Sequence, residues 1–200
     1  MSPSKFIMKL TTALSAKAGG IVRYAFIGLM TLLSLQATAE SKLDFPKQIE
    51  IDGQKLSLKG SGYRTATWFK VKVYHAAFYM DDLNGSVEQV SSPRVIDIVF
   101  DRNVDASDIK KAWLEAFAKS CPSPCAVDAN LIGRFISAAS SVKKDEKIRY
   151  RFLPKKVEVT APDGKIATYE DKYLPTVLLS TWIGDHPPTA ELKQALLGRP

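Results

Sequence analysis

The chain has 200 residues, with 28 Lys or Arg against 21 Asp or Glu, for a formal charge of +7. Residues 1–39 hold Lys5, Lys9, Lys17 and Arg23 and no acid, so the rest carries 24 basic against 21 acidic residues, or +3. A surplus that small, with no aromatic series beside the clusters Lys143-Lys144-Lys147 and Lys155-Lys156, excludes a nucleic-acid footprint and reads those lysines as a solvated face.

At the N-terminus the basic stretch runs into the apolar segment Tyr24 to Leu35, closed by Ala37-Thr38-Ala39. A cationic region, a short apolar run and an A-x-A site predict a secretory signal peptide over residues 1–39 and export to a periplasm. The apolar run is shorter than the roughly 20 residues a spanning helix needs, so no stable membrane span is expected after cleavage. An uncleaved anchor is the alternative, and Met8 is a second candidate start. Residues 40–200 are expected to form one domain, large enough to bury a core without metals or many disulfides.

Gln48 to Leu58 reads as a hairpin, with Ile49 and Ile51 alternating, Asp52-Gly53 turning, and Leu56 and Leu58 alternating back. Gly60 to Met80 supplies two strands or one bent strand, and Arg94 to Asp101, RVIDIVFD, a buried one. Helical spacing then takes over from Asp105 to Ser120, with Ile109, Ala112, Trp113, Ala116 and Phe117 on one side and Asp105 as the expected cap. A second helix is expected from about Asp128 to Val142. Ile148, Tyr150 and Phe152 alternate with Lys147, Arg149 and Arg151, which predicts a strand with one wet and one covered face. Lys156–Thr160, Asp163-Gly164 and Lys165–Tyr169 make another hairpin. The apolar segment after Pro175 predicts a helix ended by Gly184, and Pro187-Pro188-Thr189 starts a last helix that Gly198 ends. Hairpins, a helix pair, hairpins and helices argue for an α+β layer fold with a mainly antiparallel sheet.

The stretch Gly60–Met80, GSGYRTATWFKVKVYHAAFYM, places Arg64 after two glycines and Tyr74 ten residues on. In one straight strand these two would lie about 33 Å apart at ~3.3 Å per residue. If the chain folds back near Trp68 they become cross-strand neighbours, roughly 5–8 Å apart at Cβ. The folded-back form alone holds one small anion between a guanidinium fork and a phenol.

The pattern Gly60-x-Gly62-x-Arg64, the strand Val73-Tyr74 to Tyr79-Met80, and the ending Thr181-Trp182-Ile183-Gly184-Asp185…Leu192-Lys193…Leu196-Leu197-Gly198 resemble the chalcone isomerase-like superfamily, in particular its exported bacterial members. The resemblance covers nearly all of residues 40–200. It implies an open-faced β-sandwich, in which a large antiparallel sheet carries a layer of helices on one face with a ligand cleft between. It implies one of two functions: isomerases that close a flavanone ring, or relatives that bind fatty acids by holding the carboxylate with an arginine and a tyrosine. By that resemblance Arg64 matches the family arginine, and Tyr74 falls where the isomerases place a catalytic threonine. Thr181 and Trp182 fall on the cleft-lining pair of the last long helix. Where the isomerases carry Tyr-x-x-Lys-x-x-x-Asn, this chain reads Ala106, Ile109 and Trp113, and Lys110 is one position off, a rotation of about 100° on a helix.

Those departures weigh against ring closure, because losing one donor to a developing oxyanion typically costs about 2.7–4 kcal/mol. An arginine fork with a phenol donor still suits a planar carboxylate. The expectation is a non-catalytic periplasmic binding protein for a small amphipathic or aromatic carboxylate such as a fatty acid, with Arg64, Tyr74, Thr181 and Trp182 as ligand-binding residues and no cofactor. The alternatives are an isomerase or intramolecular lyase on an unknown substrate, with Tyr74 as proton donor, and an interaction module whose cleft its own side chains fill. The aromatics Trp68, Phe69, Phe78, Phe100, Trp113, Phe117, Phe135 and Trp182 would line the cleft or build the core.

Cys121 and Cys125 are the two cysteines. In an exported chain their spacing favours a structural disulfide over free or redox-active thiols, since redox pairs normally have two intervening residues. His75 and His186 are too isolated to propose a metal site, and no G-x-S-x-G elbow supports a hydrolase.

Overall fold

The computed structural model describes residues 45–66, 69–87 and 89–199. The expected signal peptide and Trp68 lie outside them. Seven strands run in chain order across one antiparallel sheet: β1 (Gln48–Ile51), β2 (Gln54–Ala66), β3 (Val71–Met80), β4 (Arg94–Phe100), β5 (Lys147–Leu153), β6 (Lys156–Thr160) and β7 (Ile166–Glu170). Between β4 and β5 come α1 (Ala106–Ser120) and α2 (Ala129–Ser137), and after β7 come α3 (Leu174–Ile183) and α4 (Ala190–Leu196). This is the expected α+β architecture, a large antiparallel sheet with a layer of helices on one face.

The hairpin signals correspond to real turns. Asp52 and Gly53 both adopt positive φ between β1 and β2, at 51° and 74°, as does Gly164 between β6 and β7, at 83°. The helix starts differ in detail from expectation. Asp128 caps α2 by accepting from the Leu131 N–H at 3.0 Å, and Thr189 caps α4 by accepting from Leu192 at 3.1 Å. The Asp105 side chain makes no cap to α1; the Ala106 N–H donates instead to the Ser141 hydroxyl at 3.0 Å. A hydroxyl 35 residues away is invisible to a local capping rule. Helix α2 also stops at Ser137, well short of Val142, because Val142 leaves the helix to bridge Val104 through two backbone hydrogen bonds.

The sheet has two packed faces. Phe78, Met80, Ile96, Tyr150 and Phe152 meet the helices, and Leu56, Ala77, Tyr79 and Val95 form a second cluster with Phe45 on the other side. Strand β3 is therefore buried on both faces from Ala76 to Met80. The second face of β5 is correspondingly less wet than the alternation predicts. Arg149 clamps the buried Asp97 through two hydrogen bonds of 2.6 and 2.8 Å, and Arg151 pairs with Asp52 and Glu158. A carboxylate held so fully inside a sheet requires that fork, since a buried lone charge is strongly disfavoured.

Two bulges decide which way β2 and β3 point. Leu58 pairs with Tyr79 and Gly60 with Phe78, so Lys59 is an extra residue on β2. That insertion flips the alternation: Leu56 and Leu58 join the outer cluster, whereas Gly60, Gly62 and Arg64 turn to the helix side. Helix α4 then lies directly on the glycines. A Cβ on Gly60 would collide with the Ala195 carbonyl oxygen and come within 2.6 Å of the Gly198 nitrogen; on Gly62 it would come within 2.5 Å of the Ala195 Cβ. Since backbone cannot give way as a side chain does, Gly60→Ala should cost at least 2–3 kcal/mol, the upper range for overpacking. A urea midpoint unchanged by this substitution would contradict the close seat of α4 on β2.

Candidate functional site

Beyond the glycines, past the reach of α4, the helix side of the sheet opens into a cavity of about 490 Å³. Its floor is Val73 and Tyr74 of β3, Ile98 and Phe100 of β4, and Ile148 and Tyr150 of β5. Ile109, Ala112, Trp113 and Ala116 of α1 roof it, Thr181 and Trp182 of α3 close one wall, and Arg102, Asp108, Lys119 and His186 stand at an exposed rim. The second bulge contributes here. Arg64 pairs with Tyr74 and Thr65 with Lys72, so Val73 is extra on β3, and the consecutive residues Val73 and Tyr74 both reach the same cavity.

All four residues singled out from the sequence line this one cavity. Arg64 and Tyr74 are direct cross-strand partners, and the guanidinium carbon lies 5.9 Å from the centre of the Tyr74 ring. They share a face, as the folded-back strand requires. The Arg64 Nε is buried without a hydrogen-bond partner, and no acid among the described residues forms an ion pair with this guanidinium. The ordinary alternative, an arginine neutralised by a neighbouring carboxylate, is thus not what the fold builds.

Tyr74 is 7% exposed and sits at the join between sheet and α3. Its hydroxyl accepts a hydrogen bond from the Trp182 indole N–H at 3.2 Å. The hydroxyl proton itself has no acceptor among the described residues, so it remains free to donate. Burial raises the phenol's pKa, outweighing the lowering effects of the Arg64 charge and the Trp182 bond. Tyr74 is thereby a protonated donor at neutral pH. Thr181 spends its proton on the Leu178 carbonyl at 2.7 Å, leaving an oxygen that accepts.

Trp182 is wedged against Trp113, Tyr150 and Phe152, with ring centres 5.3, 5.1 and 6.2 Å away. It forms a wall of the cavity without filling it. Of the other aromatics, Phe100 and Trp113 line the space, whereas Phe78, Phe117 and Phe135 are core and Phe69 is exposed. At the isomerase positions on α1, Ile109 and Trp113 present apolar surface to the cavity, and Lys110 is not among the lining residues. Sequence reasoning recognised Tyr150 as an inward strand residue but not as part of the site. Its signal was there: it stands in the inward register of its strand, in a segment whose inward neighbours are aliphatic or aromatic.

Away from the cavity, Cys121 and Cys125 form a disulfide at the end of α1, with Cα atoms 5.1 Å apart. Among the described residues no cluster of His, Cys, Asp and Glu has the makings of a metal site, and no helix is long and apolar enough to cross a membrane.

Four buried phenols set the alkaline behaviour. Burial pushes Tyr74, Tyr150 and Tyr169 up, and burial together with nearby Asp97 raises Tyr79 to about 12. A phenol whose pKa rises on folding stabilises the native state below its ordinary value near 10, and that contribution is lost as pH climbs through the folded value. Urea midpoints should therefore fall from pH of about 10 towards 12, and Tyr74→Phe should flatten part of the decline. A midpoint constant over that window would contradict the burial of these phenols.

Among known proteins, residues 37–198 match the family described as chalcone isomerase-like. A search of curated protein sequences finds no significant match. Among solved structures, the crystal structure of an Arabidopsis thaliana fatty-acid-binding protein superposes with a TM-score of 0.62 at 16% identity. That alignment covers 76% of this chain and 90% of the plant chain.

Proposed function

This chain belongs to the chalcone isomerase-like family, and from that footing we propose that it is a non-catalytic binding protein for an amphipathic carboxylate such as a fatty acid, exported to the periplasm. The observation that carries the proposal is Arg64: a cation on the covered face of the sheet, beside an open cavity, with no ion-pair partner among the described residues.

The cavity's chemistry is lopsided in a way that suits an anion. Arg64 and Tyr74 offer uncommitted donors, the guanidinium N–H groups and the phenol hydroxyl, while the carboxylates of Asp108 and Glu115 belong to exposed residues. A carboxylate is an acceptor-only group with room for several such bonds, and charge-assisted ones are roughly twice as strong as neutral ones. The part of the wall formed by Val73, Ile98, Phe100, Ile109, Trp113 and Ile148 is apolar and suits an acyl or aromatic body. A volume of about 490 Å³ lies within the usual range for small-molecule sites. The plant fatty-acid-binding protein with the same fold supports the reading.

Ring closure gains less support. It needs polar groups aimed at a developing enolate, and Ile109 and Trp113 stand where the isomerases carry lysine and asparagine. The family match begins at residue 37, beside the expected cleavage site after Ala39, which supports residues 1–39 as a leader. The disulfide supports an oxidising compartment.

Replacing Arg64 by Ala should weaken a long-chain carboxylate about 10- to 100-fold, the loss of a charged hydrogen-bonding partner, and leave the corresponding methyl ester nearly unaffected. Calorimetric titration of both ligands checks this. Equal losses for acid and ester would remove Arg64 from the site. Mass spectrometry of small molecules co-purified from the natural host should find an amphipathic acid.

A further inference from the structure

We propose that Tyr150 is a further ligand-binding residue, and that the ligand is an amphipathic carboxylate bearing a further oxygen acceptor on its apolar body, as a hydroxy- or oxo-acyl chain does. The inference rests on the carboxylate reading above and deepens it. Tyr150 is 5% exposed, lines the cavity, and makes no hydrogen bond to any described residue. Buried tyrosine hydroxyls ordinarily find a partner. Tyr79 also lacks one, but its oxygen is fully enclosed on the opposite face of the sheet, where no ligand arrives.

The Tyr150 ring is fixed, packed against Trp113 at 5.8 Å and Trp182 at 5.1 Å. A fixed ring presents its hydroxyl at a set place and loses little freedom when it binds. Burial, with Tyr74 and Tyr169 nearby, pushes its pKa up, so the hydroxyl stays a donor. The register separates it from Arg64, and Trp182 packs on its ring while bonding the Tyr74 hydroxyl. Arg64 pairs with Tyr74, Tyr74 with Phe100, and Tyr150 with Ile96, four residues further along β4. Three strand spacings and four residues along β4 put at most roughly 20 Å between the Arg64 and Tyr150 Cα atoms. A carboxylate held on Arg64 thus leaves Tyr150 to a different part of the ligand. A plain hydrocarbon chain there would strand the phenol without a partner, whereas an oxygen would satisfy it.

The test is calorimetric titration of purified, delipidated protein with stearate and with hydroxy- and oxostearates substituted at successive mid-chain carbons. One substituted isomer should bind about fivefold tighter than stearate, the effect of one net neutral hydrogen bond. Tyr150→Phe, which removes a single oxygen, should erase that preference. Binding of stearate with no isomer preferred, or a preference that survives in Tyr150→Phe, overturns the role of Tyr150 and leaves the carboxylate site standing. Failure of every acid to bind the wild-type protein overturns both.

Discussion

An arginine without a carboxylate is the constraint to which the rest of the site answers. The chain pairs its other strand arginines: Arg94 donates to Asp81 at 2.6 Å, Arg149 grips Asp97, and Arg151 holds Glu158 and Asp52. Arg64 stands apart from this pattern, its Nε buried and unbonded on the helix side of the sheet. Removing a charge from water without a partner is costly, and a fold tolerates it where part of the group still reaches solvent or where an exogenous anion completes it. Arg64 is half-buried at an open cavity, which meets the first condition and invites the second.

Its position depends on three features that only work together. The bulge at Lys59 rotates Gly60, Gly62 and Arg64 onto the helix side. The two glycines let α4 rest its backbone on β2, and Gly198, at φ 67°, lets the chain turn away against the Lys59 carbonyl. Because α4 ends its cover at Gly62, the next inward residue faces open space. Across the cavity Trp182 occupies the acceptor side of the Tyr74 hydroxyl, which leaves its proton uncommitted. Thus a helix seat, a bulge and one indole hydrogen bond convert a sheet arginine and a core tyrosine into a donor pair.

The strands, the turns and most helix termini were legible because each rests on local chemistry: Asp-Gly turns, period-two alternation, caps at Asp128 and Thr189. The Arg64–Tyr74 pairing was legible too, since folding the segment back near its centre leaves few registers. What stayed hidden was non-local. Alternation alone assigns Leu56, Leu58, Gly60 and Arg64 to one face, and an inserted residue at Lys59 separates them. Ser141 replacing Asp105 as the cap of α1 depends on a contact across 35 residues. The buried ion pairs behind β5 turned a supposed wet face into a packed one. Tyr150 looked like any inward strand aromatic, because a sequence does not show which core side chains border empty space.

The central claim is that Arg64 and Tyr74 receive an ionised carboxylate, and carbon-13 NMR of a carboxyl-labelled fatty acid bound to the protein tests it most directly. Donors and positive charge around a carboxylate favour its ionised form. The bound carboxyl signal should therefore keep its ionised position to lower pH than the free acid does, and Arg64→Ala should lose that protection. A bound signal that titrates at or above the free acid's pKa would contradict the account.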